Sequence, residues 1–410
     1  MFRTIISKKI NSRTLFALCI AGAAVAGYVF LPSINSVSYS QPAVVASGTP
    51  AHNATPPALH IPRPLPLKAI YMSQCVVGTP SFRDSLFTLV KETELNAIVI
   101  DIRDFTGKIA FPTDNPVLKD MVSRECGAHD MRAFIERLHG EGIFVIGRIT
   151  VFQNPHYAAL YPERAVQSKS GGVWHDRKGL AFVDVGAQPY WDNVVELGKE
   201  SYAMGFDELN FDYIRFPSDG NMADADYMWV AAGVSKAQAL EEFYQYLHEK
   251  LRPVGAVLSA DLFGYVTVHQ DDLGIGQVLE RALPYFDYIY PMVYPSHYNN
   301  GFAGLTDVNS DPYKVVYTSM TQAVAREQAT TTRIASFAFS PIASSSPQLY
   351  NKPVYHGRVV PWLQSFDYPV DYTPEMVAAQ IQAARDAGVD SYLFWDAANK
   401  YSSLRQVLTQ

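Results

Sequence analysis

The sequence predicts an α/β chain: a (β/α)8 TIM barrel behind an N-terminal membrane or signal segment and a Pro-rich linker. Three observations carry this. Eight short apolar runs rich in Val, Ile and Tyr alternate with amphipathic stretches across residues 67–410, the order expected of strands followed by helices. Several of the amphipathic stretches end at a glycine just before the next run, at Gly142, Gly205, Gly255 and Gly388, as helix C-caps do. The rival, a doubly wound open sheet, usually carries a glycine-rich phosphate turn after its first strand, and Met72–Thr79 holds none.

The elements follow in chain order. Arg3, Lys8, Lys9 and Arg13 precede an uncharged apolar run from Leu15 to Leu31. Its length suits either a short membrane anchor or a long signal-peptide core. Ala24-Val25-Ala26 offers a cleavage site, while Tyr28 to Leu31 continue the run past it; residues 1–31 are therefore read as a signal-anchor or a signal peptide. The cations stay in the cytoplasm and the remainder faces outward, periplasmic or extracellular, anchored or secreted after cleavage. Residues 32–66 contain Pro32, Pro42, Pro50, Pro56, Pro57, Pro62, Pro64 and Pro66, and read as an extended linker. Expected strands are Ala69–Met72, Ala97–Ile102, Ile143–Ile149, Glu208–Ile214, Ala256–Leu262, Tyr288–Val293, Val359–Leu363 and Ser391–Trp395. Between them, Met131, Phe134, Ile135 and Leu138 keep helical spacing, as do Leu240, Phe243, Tyr244, Leu247 and Leu251.

Charge narrows the function. Residues 1–66 hold five cations and no acid, so the rest carries 28 cations against 40 acids. A body that acidic repels phosphate backbones, which argues against nucleic acid as a partner. Three cysteines are too few for a disulfide framework. Cys75 follows the first strand and Cys126 the second, so neighbouring strands make one bridge geometrically open to them. Scattered histidines without an i, i+4 pair argue against a metal, and no cofactor is implied.

Chemistry in such a barrel belongs at the carboxyl ends of the strands. The sharpest motif is Gly205-Phe-Asp-Glu-Leu-Asn-Phe-Asp-Tyr-Ile-Arg-Phe-Pro217. Alternation puts Glu208, Asn210 and Asp212 on one face, and an acid beside Tyr213 and Arg215 at a strand end suits a developing oxocarbenium ion. Asp212 is thus one expected catalytic carboxylate and Asp261, ending strand five, the expected proton donor. Alternation also pairs Asp101 with Arg103 on strand two. These two, Asn210, Arg215, Tyr294, His297 and Asp396 are expected to bind substrate, with Trp174 and Trp395 as stacking platforms. Asp287 begins its strand and is assigned to the stability face.

The Gly205–Pro217 segment, the Gly172-Val-Trp-His-Asp-Arg-Lys-Gly179 loop and the Pro291-Met-Val-Tyr-Pro295 strand together resemble a bacterial glycoside hydrolase domain family. That family is largely uncharacterised and distantly related to the α-amylase and chitinase barrels; the resemblance spans about residues 67–400. Amylase-type barrels carry Gly-x-Asp-x-x-Arg-x-Asp on a strand, ending in the nucleophile; Asp212 takes that last position, with Asn210 where the arginine stands. The glutamate acid of amylase strand five has Asp261 as its nearest counterpart. Chitinases need a glutamate where Ile214 stands. The resemblance implies an enzyme hydrolysing O-glycosyl bonds in an envelope or extracellular polysaccharide, anchored to a membrane through its N-terminal segment. The alternative from another class is a non-catalytic carbohydrate-binding or scaffold protein on a degenerate barrel; the discriminator is a second carboxyl group within glycosidase reach of Asp212.

Overall fold

The structure, a computed structural model, describes residues 57–338 and 357–409. Eight parallel strands close into a barrel in sequence order. They are β1 (Lys68–Met72), β2 (Ala97–Arg103), β3 (Phe144–Thr150), β4 (Glu208–Asp212), β5 (Val257–Phe263), β6 (Tyr288–Met292), β7 (Trp362–Gln364) and β8 (Tyr392–Trp395). The helices after them are α1 (Pro80–Lys91), α2 (Met131–Gly140), α3 (Gln188–Met204), α4 (Lys236–Leu251), α5 (Leu279–Ala282), α6 (Pro312–Ala338), α7 (Pro374–Asp386) and α8 (Ser402–Leu408).

Local chemistry sets these boundaries. Helix α4 opens with a capping box, in which Ser235 and Gln238 satisfy each other's backbone N–H. Its stripe Leu240, Phe243, Tyr244, Leu247 and Leu251 is buried, each side chain contributing roughly 1.5–3 kcal/mol. Gly205 ends α3 at φ 124°, a conformation that disfavours any side chain, and delivers the chain into β4. Strand β4 stops at Asp212 rather than at the expected Ile214 because Tyr213 turns to φ 51°. Strand β7 is likewise shorter than expected: Val359 makes only an isolated bridge to Ile289.

Two apolar layers surround the strands. Ile98, Ile100, Val145, Ile149, Leu209 and Phe211 face the helices. Ala69, Ala97, Val99, Phe144, Ile146 and Leu393 fill the lower barrel interior. The long loop between β3 and α3 is tied to the loop after β4 by a two-residue antiparallel pairing, Gln167–Ser168 with Ala225–Asp226. Cys75 and Cys126 are joined in a disulfide, with Cα atoms 4.4 Å apart; it links the turn after β1 to the loop after β2.

The proline-rich stretch was expected to run free to residue 66, yet its described part is fastened to the barrel. The Ile61 amide donates to Asp207 at 2.9 Å. Arg63 reaches Glu208 at 3.3 Å and the Tyr290 hydroxyl at 3.2 Å, closing the barrel floor. Among the described residues no helix is long and apolar enough to cross a membrane. The expected anchor or signal segment, residues 1–31, lies outside the described residues.

Candidate active site

Parallel pairing puts residues of neighbouring strands at the same height. Asn210 pairs with Ser259 and Phe211 with Ala260, so the next step along β4 and β5 sets Asp212 beside Asp261. Arg148 of β3 stands level with both Asp101 of β2 and Asn210. Inward side chains at this height therefore form one polar ring at the mouth.

Arg148 organises the ring. Its Nη1 donates to Asp101 Oδ1 at 2.6 Å and its Nη2 to Asp212 Oδ2 at 2.5 Å. Its Nε lies 3.1 Å from Asp212 Oδ2 and 3.8 Å from Asp261 Oδ2. Those two oxygens can be no further apart than the two legs laid end to end, which stays short of most of the inverting range of about 6.5–9.5 Å. The second Asp212 oxygen accepts from the Tyr213 amide, an amide aimed by the left-handed Tyr213 backbone. Asp261 Oδ1 accepts from the Trp362 indole at 2.8 Å and from Asn210 Nδ2 at 3.0 Å. The Tyr71 hydroxyl donates to Asp101 at 2.5 Å.

Three carboxyl groups share one guanidinium, and two of them, Asp261 and Asp101, are raised, first of all by burial. Burial, and then the charge of Asp212, push Asp261 well above the usual carboxylate range. Burial also raises Asp101, to about 6, against the pull of Arg148 and Tyr71. Burial disfavours the charged Arg148, but Asp212 and Asp101 outweigh it and hold the guanidinium charged. Burial, and then Asp261 and Asp212, push the Tyr294 phenol up, and burial lowers His297. Arg148 occupies the space between the aspartates, and among the described residues no three His, Cys, Asp or Glu side chains are grouped as a metal requires.

A cavity of about 420 Å³ opens directly over Asp212 and Asp261, walled by Tyr213, Arg215, Tyr294, His297, Trp362 and Trp395 among others. Trp395 stacks on Tyr71 at 3.9 Å and meets Trp362 edge-on at 5.7 Å; the Arg148 guanidinium sits 4.9 Å from its ring. The expected residues Asp101, Asp212, Asp261, Arg215, Tyr294, His297 and Trp395 thus converge on the mouth. The ionic partner of Asp212 is Arg148, while Arg215 donates to the Phe216 carbonyl and Ser218.

Three expected substrate contacts are corrected. A register shift between Asp101 and Arg103 turns Arg103 out of the barrel; it is fully buried, donating to the Thr150 carbonyl and Asn193. Trp174 is not a platform: only 3% exposed, it donates to the Asn221 carbonyl and packs edge-on against Phe182. Asn210 lies beneath the mouth, holding Ser259 and Asp261. Asp396 lines the cavity beside β7 and β8, with its carboxylate taken up by the amides of Ala398, Lys400 and Tyr401.

Arg148 and Tyr71 went unread in the sequence. Alternation along an apolar strand marks Arg148, an inward cation between Gly147 and Ile149, whereas nothing local marks Tyr71. Arg148 also explains the departure at Asn210: the guanidinium that the amylase pattern places two residues before the aspartate arrives here from the neighbouring strand.

Comparison with known proteins agrees with this architecture. The glycoside hydrolase domain of PgaB (BpsB) from Bordetella bronchiseptica superposes with a TM-score of 0.57 at 16% identity, covering 83% of this chain and 98% of that one. The Flavobacterium johnsoniae chitobiase gives 0.52 at 11% identity, over 83% of this chain and 47% of its own. A hypothetical protein from Ruminiclostridium thermocellum ATCC 27405 is 30% identical over 50% of this chain and 98% of its own, with a TM-score of 0.43. No curated protein matches the chain. The first two likenesses establish the fold, a barrel shared with glycoside hydrolases. The family model described as "Putative glycosyl hydrolase domain" matches residues 69–401, and the chain belongs to that glycosyl hydrolase family.

Proposed function

We propose that this barrel hydrolyses glycosidic bonds in an envelope or extracellular polysaccharide, with Asp212 as nucleophile and Asp261 as proton donor. The observation that carries the reading is the pair itself: two carboxyl groups side by side on β4 and β5, both within reach of Arg148 Nε. Burial, and then the charge of Asp212, push Asp261 toward its protonated form, as a proton donor requires.

The steps follow from this geometry. Asp261 gives its proton to the leaving glycosidic oxygen as the bond to the anomeric carbon breaks. Asp212 attacks that carbon from the other side and forms a glycosyl ester. Water then attacks the anomeric carbon of that ester, the bond to Asp212 breaks with Asp212 leaving as a carboxylate, and Asp261, now itself a carboxylate, takes the water's proton. Arg148 and the Tyr213 amide hold the Asp212 oxygens in place. The Asn210 and Trp362 donors occupy Asp261 Oδ1, which leaves Oδ2 as the oxygen that carries the proton.

The extracytoplasmic placement draws on two features. Disulfides persist in oxidising compartments, and Cys75–Cys126 is one. The basic residues before the apolar run Leu15–Leu31 favour export or anchoring with the barrel outside. A second reading, a non-catalytic carbohydrate-binding or scaffold protein, draws on how fully the carboxylates are engaged: Asp212 has donors on both oxygens.

The test is reducing-sugar release by the full-length protein and its Asp212→Asn variant from a panel of α- and β-linked polysaccharides. The expected result is release by the wild type and a loss on the order of 10³-fold or more in the variant. A variant as fast as wild type removes Asp212 from the role. Binding without release in both proteins moves the assignment to the second reading.

A further inference from the structure

The cavity over the aspartates does not stand alone. A second, of about 630 Å³, adjoins it on the side of the loops after β1, β2 and β3, sharing Arg148, Tyr213, Arg215 and Trp395 as wall. A third, of about 460 Å³, adjoins it on the side of β7 and β8, sharing Tyr294, His297 and Trp395. Trp395 borders all three. The three cavities therefore form one continuous trough, with the carboxyl pair beneath the cavity that shares walls with both of the others.

Both ends of the trough carry groups without a partner. Gln74 is 98% buried on the wall of the larger end cavity, and its amide oxygen accepts no hydrogen bond. Ser365 is 93% buried on the wall of the other, and its hydroxyl has no partner. Buried polar atoms left open are costly, a cost that a ligand hydroxyl or amide relieves. Each end also presents an aromatic ring. Phe105 is 53% exposed on the wall of the larger cavity; Asp104 holds the turn that projects it by accepting from the Thr106 amide and hydroxyl. Phe366 lines the opposite cavity and meets Tyr294 and His297 edge-on. An aromatic face beside an open hydrogen-bonding group is the pairing that a sugar ring, apolar on its faces and hydroxylated at its edge, takes up.

We propose that a glycan chain lies along this trough with sugars bound on both sides of the scissile bond, one against Phe105 and Gln74 and another against Phe366 and Ser365, so that the enzyme cuts within chains. The proposal rests on the hydrolase reading and deepens it: the substrate is a polymer held at an internal bond, not a chain end held in a blind pocket.

The experiment uses the full-length protein and α- and β-linked oligosaccharides of graded length, with the aryl monoglycosides of the same sugars. Early products are sized, and kcat/KM is measured for the longest oligosaccharide and for the aryl monoglycoside. Cleavage at internal bonds from the first turnovers is expected. Phe105→Ala should lower the ratio of long-chain to monoglycoside kcat/KM about tenfold, the size of a stacking contact, and Ser365→Ala about fivefold, that of one hydrogen bond. Release of a single end-derived product from the outset overturns the proposal while leaving the hydrolase reading intact. Unchanged ratios in both variants overturn it as well, since the end cavities then hold no sugar. No cleavage by the wild type removes the hydrolase reading and this proposal together.

Discussion

The two ends of the barrel interior bury charge in opposite ways, and a single strand connects them. Along β4, Glu208, Asn210 and Asp212 point inward two residues apart, from floor to mouth. At the floor, Glu208 is fully buried, accepts from Tyr290 at 2.5 Å and pairs with Arg63. Arg63 in turn stacks on Tyr288 at 3.5 Å. One carboxylate meets one guanidinium, and residues 57–66 seal them in. At the mouth, Asp101, Asp212 and Asp261 share Arg148 and open onto a cavity. A balanced, sealed cluster holds a structure together. Burial raises the carboxyl pKa at both ends, Glu208 as well as Asp101 and Asp261, but only at the mouth does a cavity make the held proton available to a substrate.

The largest effect that separates the two ends is on turnover. Asp212→Asn should cost on the order of 10³-fold or more in kcat. Its melting temperature should move by only a few degrees, because Arg148 keeps Asp101 and Asp261 as partners. Removing the floor cation should do the reverse. Arg63→Ala leaves Glu208 buried without its countercharge, a loss of about 3–5 kcal/mol. That amounts to roughly 5–10 °C in Tm for a domain of this size, while kcat on any cleaved glycan stays near wild type. Calorimetry and initial rates on the two variants test the contrast. If Arg63→Ala loses turnover as Asp212→Asn does, the floor and mouth are one functional unit and the division fails.

The same comparison shows what the sequence made legible. The barrel could be read because its strands are apolar runs between amphipathic helices, and Asp212 and Asp261 because they end such runs. Arg103 was misplaced because alternation presumes an unbroken strand, and the irregularity after Asp101 breaks it. Trp174 was misplaced because a loop tryptophan gives no sign of whether its ring is covered; here the Asn221 carbonyl and Phe182 cover it. Arg63 read as linker because its partners, Glu208 and Tyr290, lie 145 and 227 residues away. Contacts at that separation exist only once the barrel is closed.

The disulfide sharpens the contrast on the mouth side. Cys75–Cys126 closes a span of 51 residues that contains β2, Asp101 and the Phe105 turn. Loop-closure arguments assign it about 2–4 kcal/mol, so Cys75→Ser with Cys126→Ser should lower Tm by roughly 3–8 °C. A Tm unchanged by reduction and by the double substitution would show that the mouth loops hold their places without it.

The smallest effect is a pH dependence, and its sign follows from the direction of one shift. In the folded protein Asp101 is raised to about 6 from an ordinary 3.8, chiefly by burial. The folded state therefore binds this proton more tightly than the unfolded chain does. The resulting stability is fully present below the unfolded value, near pH 4, and is lost as the pH rises through about 6. At 1.36 kcal/mol per unit, the loss is roughly 2–3 kcal/mol. Asn at this position has no proton to exchange, and Asp261 titrates in both proteins, so it drops out of their difference. Urea unfolding of wild type and Asp101→Asn at pH 4 and pH 7 isolates the contribution. The wild type should lose roughly 2–3 kcal/mol relative to the variant between those two conditions. A difference that stays constant, or that grows in favour of the wild type as pH rises, would mean that Arg148 compensates Asp101 fully. The mouth would then be as balanced as the floor, and the charge argument for its chemistry would have to rest on Asp261 alone.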